Sequence, residues 1–232
     1  MSEANYEEYL STLNKISEAI TSELYLEDIL KLIVTLTANV MEASNCNLWL
    51  FDEKNQEFNI KATHLMHQEY LNKKTIKLNE GIVGWVAKEK KPRIILDVLK
   101  DKGYKERELA QKEGLVSMAS IPMMIKDKVI GVLNVYTNKP HKFTPAEVTL
   151  LNTIANQAAV AIEKTALIIE TKIIQEELEA RKKIERAKGI LMEERKISES
   201  EAFSLIRKFS MDKRISMKEI AEAIILSSEI GK

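Results

Sequence analysis

A single cysteine, Cys46, is all the thiol chemistry that this 232-residue chain possesses. One cysteine excludes an intrachain disulfide and points to a reducing compartment. Net charge is absent too: 35 Lys+Arg stand against 35 Asp+Glu, so attraction to a nucleic acid or an anionic surface can arise only from local clustering. No apolar run approaches the roughly 20 residues of a membrane span, and the opening "MSEANYEEYL" is acidic where a signal peptide is basic, then apolar. The expectation is a soluble, cytoplasmic protein with no membrane partner. Glycine is sparse, seven scattered residues, which excludes a glycine-rich phosphate-cradling loop. Of the three histidines, His64 and His67 are three apart with Glu69 nearby, but only His141 and Cys46 remain to complete a set. A zinc site lacks its third and fourth ligands. No Ser-His-Asp arrangement carries a local signature. Neither an enzyme nor a cofactor is expected.

Apolar residues make up 45% of the chain, enough for a sizeable core. Tyr6, Leu10, Leu13, Ile16 and Ile20 form a helical stripe, and Leu26 to Met41 forms a second, with Ile29, Leu30, Ile33, Leu36 and Val40 inward. The period then drops to two. In "NCNLWLF", Cys46, Leu48 and Leu50 oppose Asn47, Trp49 and Phe51; after the turn "DEKNQ", Phe58, Ile60 and Ala62 alternate again. This pattern predicts an antiparallel hairpin. A short helix from Gly81 to about Lys90 stops before Pro92 and yields to a strand, "YKERELAQKEGL" reads as a further helix, and "SMASIPMMIKDKVIGVLNVY" folds back at Lys126-Asp127-Lys128. Thr144 as N-cap, Pro145 at the first helical position and Glu147 three residues on form a capping box. Helices at both ends of mixed strands predict an α+β domain.

The segments "EGIVGWVA", "IPMMIKDKVIGVLNV" and "LLNTIANQAAVAIE", in this order, resemble a GAF domain over about residues 5–165. The resemblance implies an antiparallel sheet flanked by helices and a sensor of unknown signal, with a small-molecule ligand bound between Ala62 and Met118. Trp85 either lines that cavity or belongs to the core. Asn72-Lys73-Lys74 lacks the downstream Phe and acid of cyclic-nucleotide-binding members, and one cysteine is too few for the GAF-like methionine sulfoxide reductases. Cys46 itself is expected to be buried packing.

The helical pattern continues beyond that domain. Ile162, Ala166, Ile169, Ile173, Glu177, Ala180, Ile184, Ala187 and Leu191 follow steps of four and three, with one extra four at Glu177. They read as a coiled-coil seam with a stutter. A coiled-coil linker over 162–180 is expected, with Ile162, Ala166, Ile169, Ile173 and Ala180 at the interface of a homodimer. Two short helices follow, each opened by a capping box, Ser198 with Glu201 and Ser216 with Glu219; Ala202, Leu205, Ile206 and Phe209 are placed inward on the first. Between Arg181 and Lys218 stand twelve Lys and Arg against six Asp and Glu, a local basic excess on a neutral chain.

"ARKKIERAKGILMEERKISESEAFSLIRKFSMDKRISMKEIAEAII" resembles an ANTAR domain, the RNA-binding antitermination module of bacterial regulators, over about residues 171–230. The matching features are Ala180-Arg181, Ile184, Ala187-Lys188-Gly189-Ile190-Leu191-Met192, Ala202-Phe203, Leu205-Ile206-Arg207 and Ile220-Ala221. The resemblance implies an all-α three-helix domain and a dimer that binds paired stem-loops in nascent mRNA, so that a terminator hairpin does not form; RNA polymerase is then a further partner. The acidic cluster of a phosphoacceptor receiver is missing. Candidate RNA contacts are Arg181, Lys183, Arg186, Ala187, Lys188, Gly189, Arg207, Lys208, Lys213 and Arg214. Small Ala187 and Gly189 either admit a nucleotide or let another helix pack close, and the cations either neutralise phosphate or form a solvated face. Two other readings stand beside this one: a small-molecule sensor whose C-terminal helices dock a protein, and a helix-turn-helix DNA regulator. The second suffers because its cations lie mostly on the first helix.

Overall fold

The computed structural model describes residues 3–64 and 75–230, with side chains from residue 6 onward; His67, Glu69, Asn72, Lys73 and Lys74 lie outside the described residues. The chain divides into two compact units, Met1–Thr165 and Ala166–Lys232.

In the first unit α1 (Glu3–Thr21) and α2 (Leu26–Val40) precede β1 (Asn45–Asp52), β2 (Glu57–Thr63), β3 (Thr75–Lys77), α3 (Gly81–Glu89), β4 (Arg93–Ile95), α4 (Arg107–Lys112), β5 (Ser117–Ile125) and β6 (Lys128–Thr137). The strands form one antiparallel sheet in the order β3-β2-β1-β6-β5-β4. Helix α5 (Pro145–Arg195) follows, and its capping box is formed: the Thr144 amide donates to Glu147 Oε2, and the Glu147 amide to Thr144 Oγ1. The turn between Ile125 and Lys128 falls where the sequence places it. The α4 helix is shorter than "YKERELAQKEGL" suggested, because Gly114 adopts φ +64° and the Leu115 amide closes on Ala110 O.

Both faces of the sheet are covered, so each strand buries alternate residues on opposite sides. Cys46, Leu48, Ile121, Leu133 and Val135 pack with Ile33, Val34, Leu151 and Ile154 of α2 and α5. Trp49, Phe58, Met118, Val132 and Tyr136 pack on the other side with Ile82, Val83 and Val86 of α3. One expectation is corrected here. Ala62 does not share a face with Phe58 and Ile60: the register shifts between Leu48 and Trp49, so Ala62 pairs with Leu48 while Ile60 pairs with Trp49. The extra residue, Lys61, sends Ala62 to the α2 side. At a second register shift, Gly131 leaves room for the Trp49 carbonyl and Met123 Cε, which a Cβ there would meet at 2.3 and 2.4 Å.

The second unit holds the remainder of α5 with α6 (Glu199–Lys213) and α7 (Met217–Ile230). Its core is Ala187, Leu191, Ala202, Ile206, Ile220 and Ala221, with Ile184, Ile197, Leu205, Met217 and Ile224 around it. Both capping boxes are present. Phe209, expected inward, is 43% exposed, since Ile206 already fills the one apolar stripe α6 turns to its neighbours.

Candidate functional site

In the α+β unit a cavity of about 150 Å³ opens on the α3 side of the sheet. Its floor comes from alternate residues of three strands: Asn45, Asn47 and Trp49 of β1, Met118 of β5, and Asn134 and Tyr136 of β6. The asparagines form a chain. Trp49 Nε1 donates to Asn47 Oδ1 at 2.8 Å, Asn134 Nδ2 donates to the same oxygen at 3.2 Å, and Ser120 Oγ donates to Asn134 Oδ1 at 2.7 Å. Ile60, Ile76, Ile82 and Leu115 supply apolar walls, and Glu80, Lys105, Glu106 and Glu113 stand among the lining residues. Lys105 holds Glu80 at 2.7 Å, and this hydrogen bond is the main reason the Glu80 carboxyl sits below its usual range.

Two sequence candidates lie elsewhere. Trp85 neither lines this cavity nor joins the core; it is 38% exposed, with the Arg93 guanidinium 4.9 Å above its ring. Cys46 is buried among the α2-side residues, where desolvation pushes its thiol well above the ordinary value. The floor asparagines were missed as site residues. Their signal was present: Asn45, Asn47, Ser120 and Asn134 put amides and a hydroxyl at alternate positions in otherwise apolar strands.

In the helical unit the candidate cations separate. Lys188 is 6% exposed, its ammonium bound by Glu199 at 2.6 Å and Glu185 at 2.9 Å. Those hydrogen bonds, Glu199 first, raise the Lys188 pKa above the ordinary lysine value and lower that of Glu199. Lys188 therefore ties α5 to the start of α6. Ala187 is fully buried in the three-helix core, where its small side chain packs between helices. Gly189 is the reverse case: it is exposed, and a Cβ built on it meets nothing within 4 Å, so close helix packing does not explain it. Lys183 pairs with Glu222 at 2.5 Å and Arg186 with Glu229 at 2.7 Å, both from α7. Arg181, Arg207, Lys208, Lys213 and Arg214 are exposed and carry no ion pair among the described residues. Of the seam, Ile162 packs on the α+β core and Ala180 is partly covered, while Ala166, Ile169 and Ile173 are exposed, as are Leu167, Ile168, Ile174 and Leu178.

A six-stranded antiparallel sheet with helices on both faces is followed in the chain by a unit of three helices. Residues 23–163 match the GAF domain family and residues 173–225 the ANTAR domain. The chain belongs to the GAF domain family and carries a C-terminal ANTAR domain. The GAF domain of a phosphoenolpyruvate-protein phosphotransferase from Coxiella burnetii is similar at 25% identity and TM-score 0.66, over 72% of this chain and 98% of that one. A phosphotransferase GAF domain from Acinetobacter is 28% identical at TM-score 0.60, over 72% and 97%. A methyl sulfide methyltransferase-associated sensor of Methanosarcina acetivorans is 27% identical over 162 residues, 68% of this chain. A phosphoenolpyruvate-dependent phosphotransferase system protein of Escherichia coli is 25% identical over 158 residues. The chain spans only 16% and 21% of the length of those two curated relatives. Among the described residues no group of three His, Cys, Asp or Glu could hold a metal ion, and no helix is long and apolar enough to cross a membrane.

Proposed function

We propose that this protein is a signal-responsive transcription antiterminator: a homodimer whose ANTAR units bind paired stem-loops in nascent mRNA, so that a terminator hairpin does not form. A signal received in the GAF cavity biases RNA binding through differential affinity for two conformations, with no bond made or broken. RNA polymerase is a further partner in that setting. The observation that carries the reading is Gly189. A helical glycine costs about 1 kcal/mol against alanine, none of the described residues needs the space, and the ANTAR match spans it. Space kept open on an exposed helix favours a partner from outside. Surface pairs such as Arg186–Glu229 are worth at most about 1 kcal/mol, so phosphate can displace the glutamate cheaply.

Filter binding of a stem-loop RNA, with duplex DNA as the second probe, tests the reading. Gly189→Ala should stabilise the helical unit by about 1 kcal/mol and weaken stem-loop binding at least about tenfold, or about 1.4 kcal/mol. Unchanged affinity in the stabilised variant would sink the glycine argument. A protein that binds neither RNA nor DNA would instead be a sensor whose C-terminal helices dock another protein.

A further inference from the structure

Helix α6 carries an aromatic ring that its own unit leaves in solvent. Ala202 and Ile206 are fully buried in the three-helix core, whereas Phe203, the residue after Ala202, is 42% exposed. No ring and no cation stacks on it among the described residues. A single exposed phenylalanine is ordinary; the residues in line with it are not. Steps of four, three and four place Phe203, Arg207, Ser210 and Arg214 in one stripe along the helix. Arg207 and Arg214 are exposed, and neither guanidinium has an ion pair or hydrogen bond among the described residues. Arg214 holds φ +55°, in the left-handed region where glycine is the usual residue.

Acids leave the stripe clear. Glu199, one turn before Phe203, is held by Lys188 at 2.6 Å, so the buried lysine offsets the carboxylate in line with the ring. Asp212 lies five residues on from Arg207, about 140° round the helix. The stripe therefore offers a flat apolar ring, a guanidinium about 6 Å further along the axis, and a second about 10 Å beyond that. Two free cations in a row suit a polyanion. A duplex has no use for the ring, because its bases are already paired and stacked. An unpaired loop base can be splayed out and laid on it.

We infer, resting on the stem-loop binding proposed above, that α6 reads the unpaired loop of the RNA: Phe203 stacks one loop base, and Arg207 and Arg214 take phosphates beside it. A stem-loop RNA recovered by the full chain from a pool with randomised loops supplies the probe. The same RNA with an abasic loop, and its stem alone as a blunt duplex, are the controls. In filter binding both controls should be at least about tenfold weaker, as the loss of base stacking requires. Phe203→Ala should lose at least about fivefold on the intact loop, the lower end of what stacking on an aromatic side chain supplies, and nothing on the abasic loop. Its salt slope should equal that of the wild type, since no phosphate contact goes. Phe203→Tyr should bind like the wild type and Phe203→Leu like Phe203→Ala. Arg207→Gln should instead flatten the slope of log affinity against log salt by about 0.7.

A ring that only supports the fold would weaken all three probes together and lower the melting temperature when replaced, which would overturn the inference. A leucine that serves as well as tyrosine would do the same. If Phe203→Ala lowers the mass in sedimentation equilibrium, the ring belongs to a contact between copies and not to RNA. Equal wild-type affinity for the intact and the abasic loop removes base stacking and leaves RNA binding standing. If the pool yields no bound RNA, the antiterminator reading falls and takes the inference with it.

Discussion

Arg214 occupies a position that favours glycine. It caps α6 with φ +55° in the left-handed region, where a side chain costs about 1–2 kcal/mol and Gly is the usual residue. Strain retained at an exposed cation accords with a use for the charge. Arg214→Gly should leave the melting temperature of the helical unit unchanged or raised, and should flatten the slope of log RNA affinity against log salt by about 0.7–0.9, one phosphate contact. A salt slope equal to that of the wild type would remove Arg214 from the interface. Lys188 makes the opposite prediction. The Glu199 carboxyl is held below its ordinary value of 4.5 chiefly by Lys188, so its contribution to stability is complete above that value and is lost as pH falls through the lowered one. The Lys188 ammonium is held above 10.5 by Glu199 and Glu185, so its contribution is complete below 10.5 and is lost as pH rises through the raised value. Circular dichroism melting of the helical unit should show a plateau between these limits and a fall on either side. In Lys188→Met the whole curve should drop and both falls should become shallower; a variant as stable as the wild type would show that the ion cluster does not hold α5 to α6.

Among the elements, α5 between its two cores is the anomaly. From Leu167 to Leu178 it exposes six large apolar side chains, each more than half accessible, and a lone helix in water has no reason to display them. In the proposed dimer a second copy of the same helix covers them, since the seam positions repeat at coiled-coil spacing. Placing Lys at both Ile169 and Ile173 puts like charges opposite their own copies and desolvates them, a loss of several kcal/mol of association energy. Sedimentation equilibrium should then show a monomer with both cores folded. A wild-type monomer at tens of micromolar would end the dimer proposal. The sheet carries a different lesson. Alternation along "NCNLWLF" was legible, yet the bulge at Lys61 was not, because a register shift is set by the partner strand and not by the residues that shift.

At the scale of the whole molecule, each unit has its own core, and the covalent link between them is one uninterrupted helix. If that helix dimerises, its protection depends on mass action. Hydrogen exchange of the amides between 166 and 180 should slow as protein concentration rises, while amides in β1, β5 and β6 should exchange at rates independent of concentration. Exchange in the helix that ignores concentration would assign its exposed apolar ridge to some other partner.

The order and type of the elements other than β3, and the three capping boxes, were legible in the sequence alone. They rest on local rules: apolar period, N-cap chemistry and turn composition. Tertiary structure alone decided which members of the basic run reach solvent. Lys188 and Arg186 are two residues apart, yet one is sealed by glutamates from its own turn and from α6 while the other stays exposed. The cavity was decided the same way, since its floor joins residues of β1 to residues of β6 nearly ninety positions later. No local rule reaches that far: whether a polar side chain meets a partner, a ligand or water depends on which strands the sheet brings together.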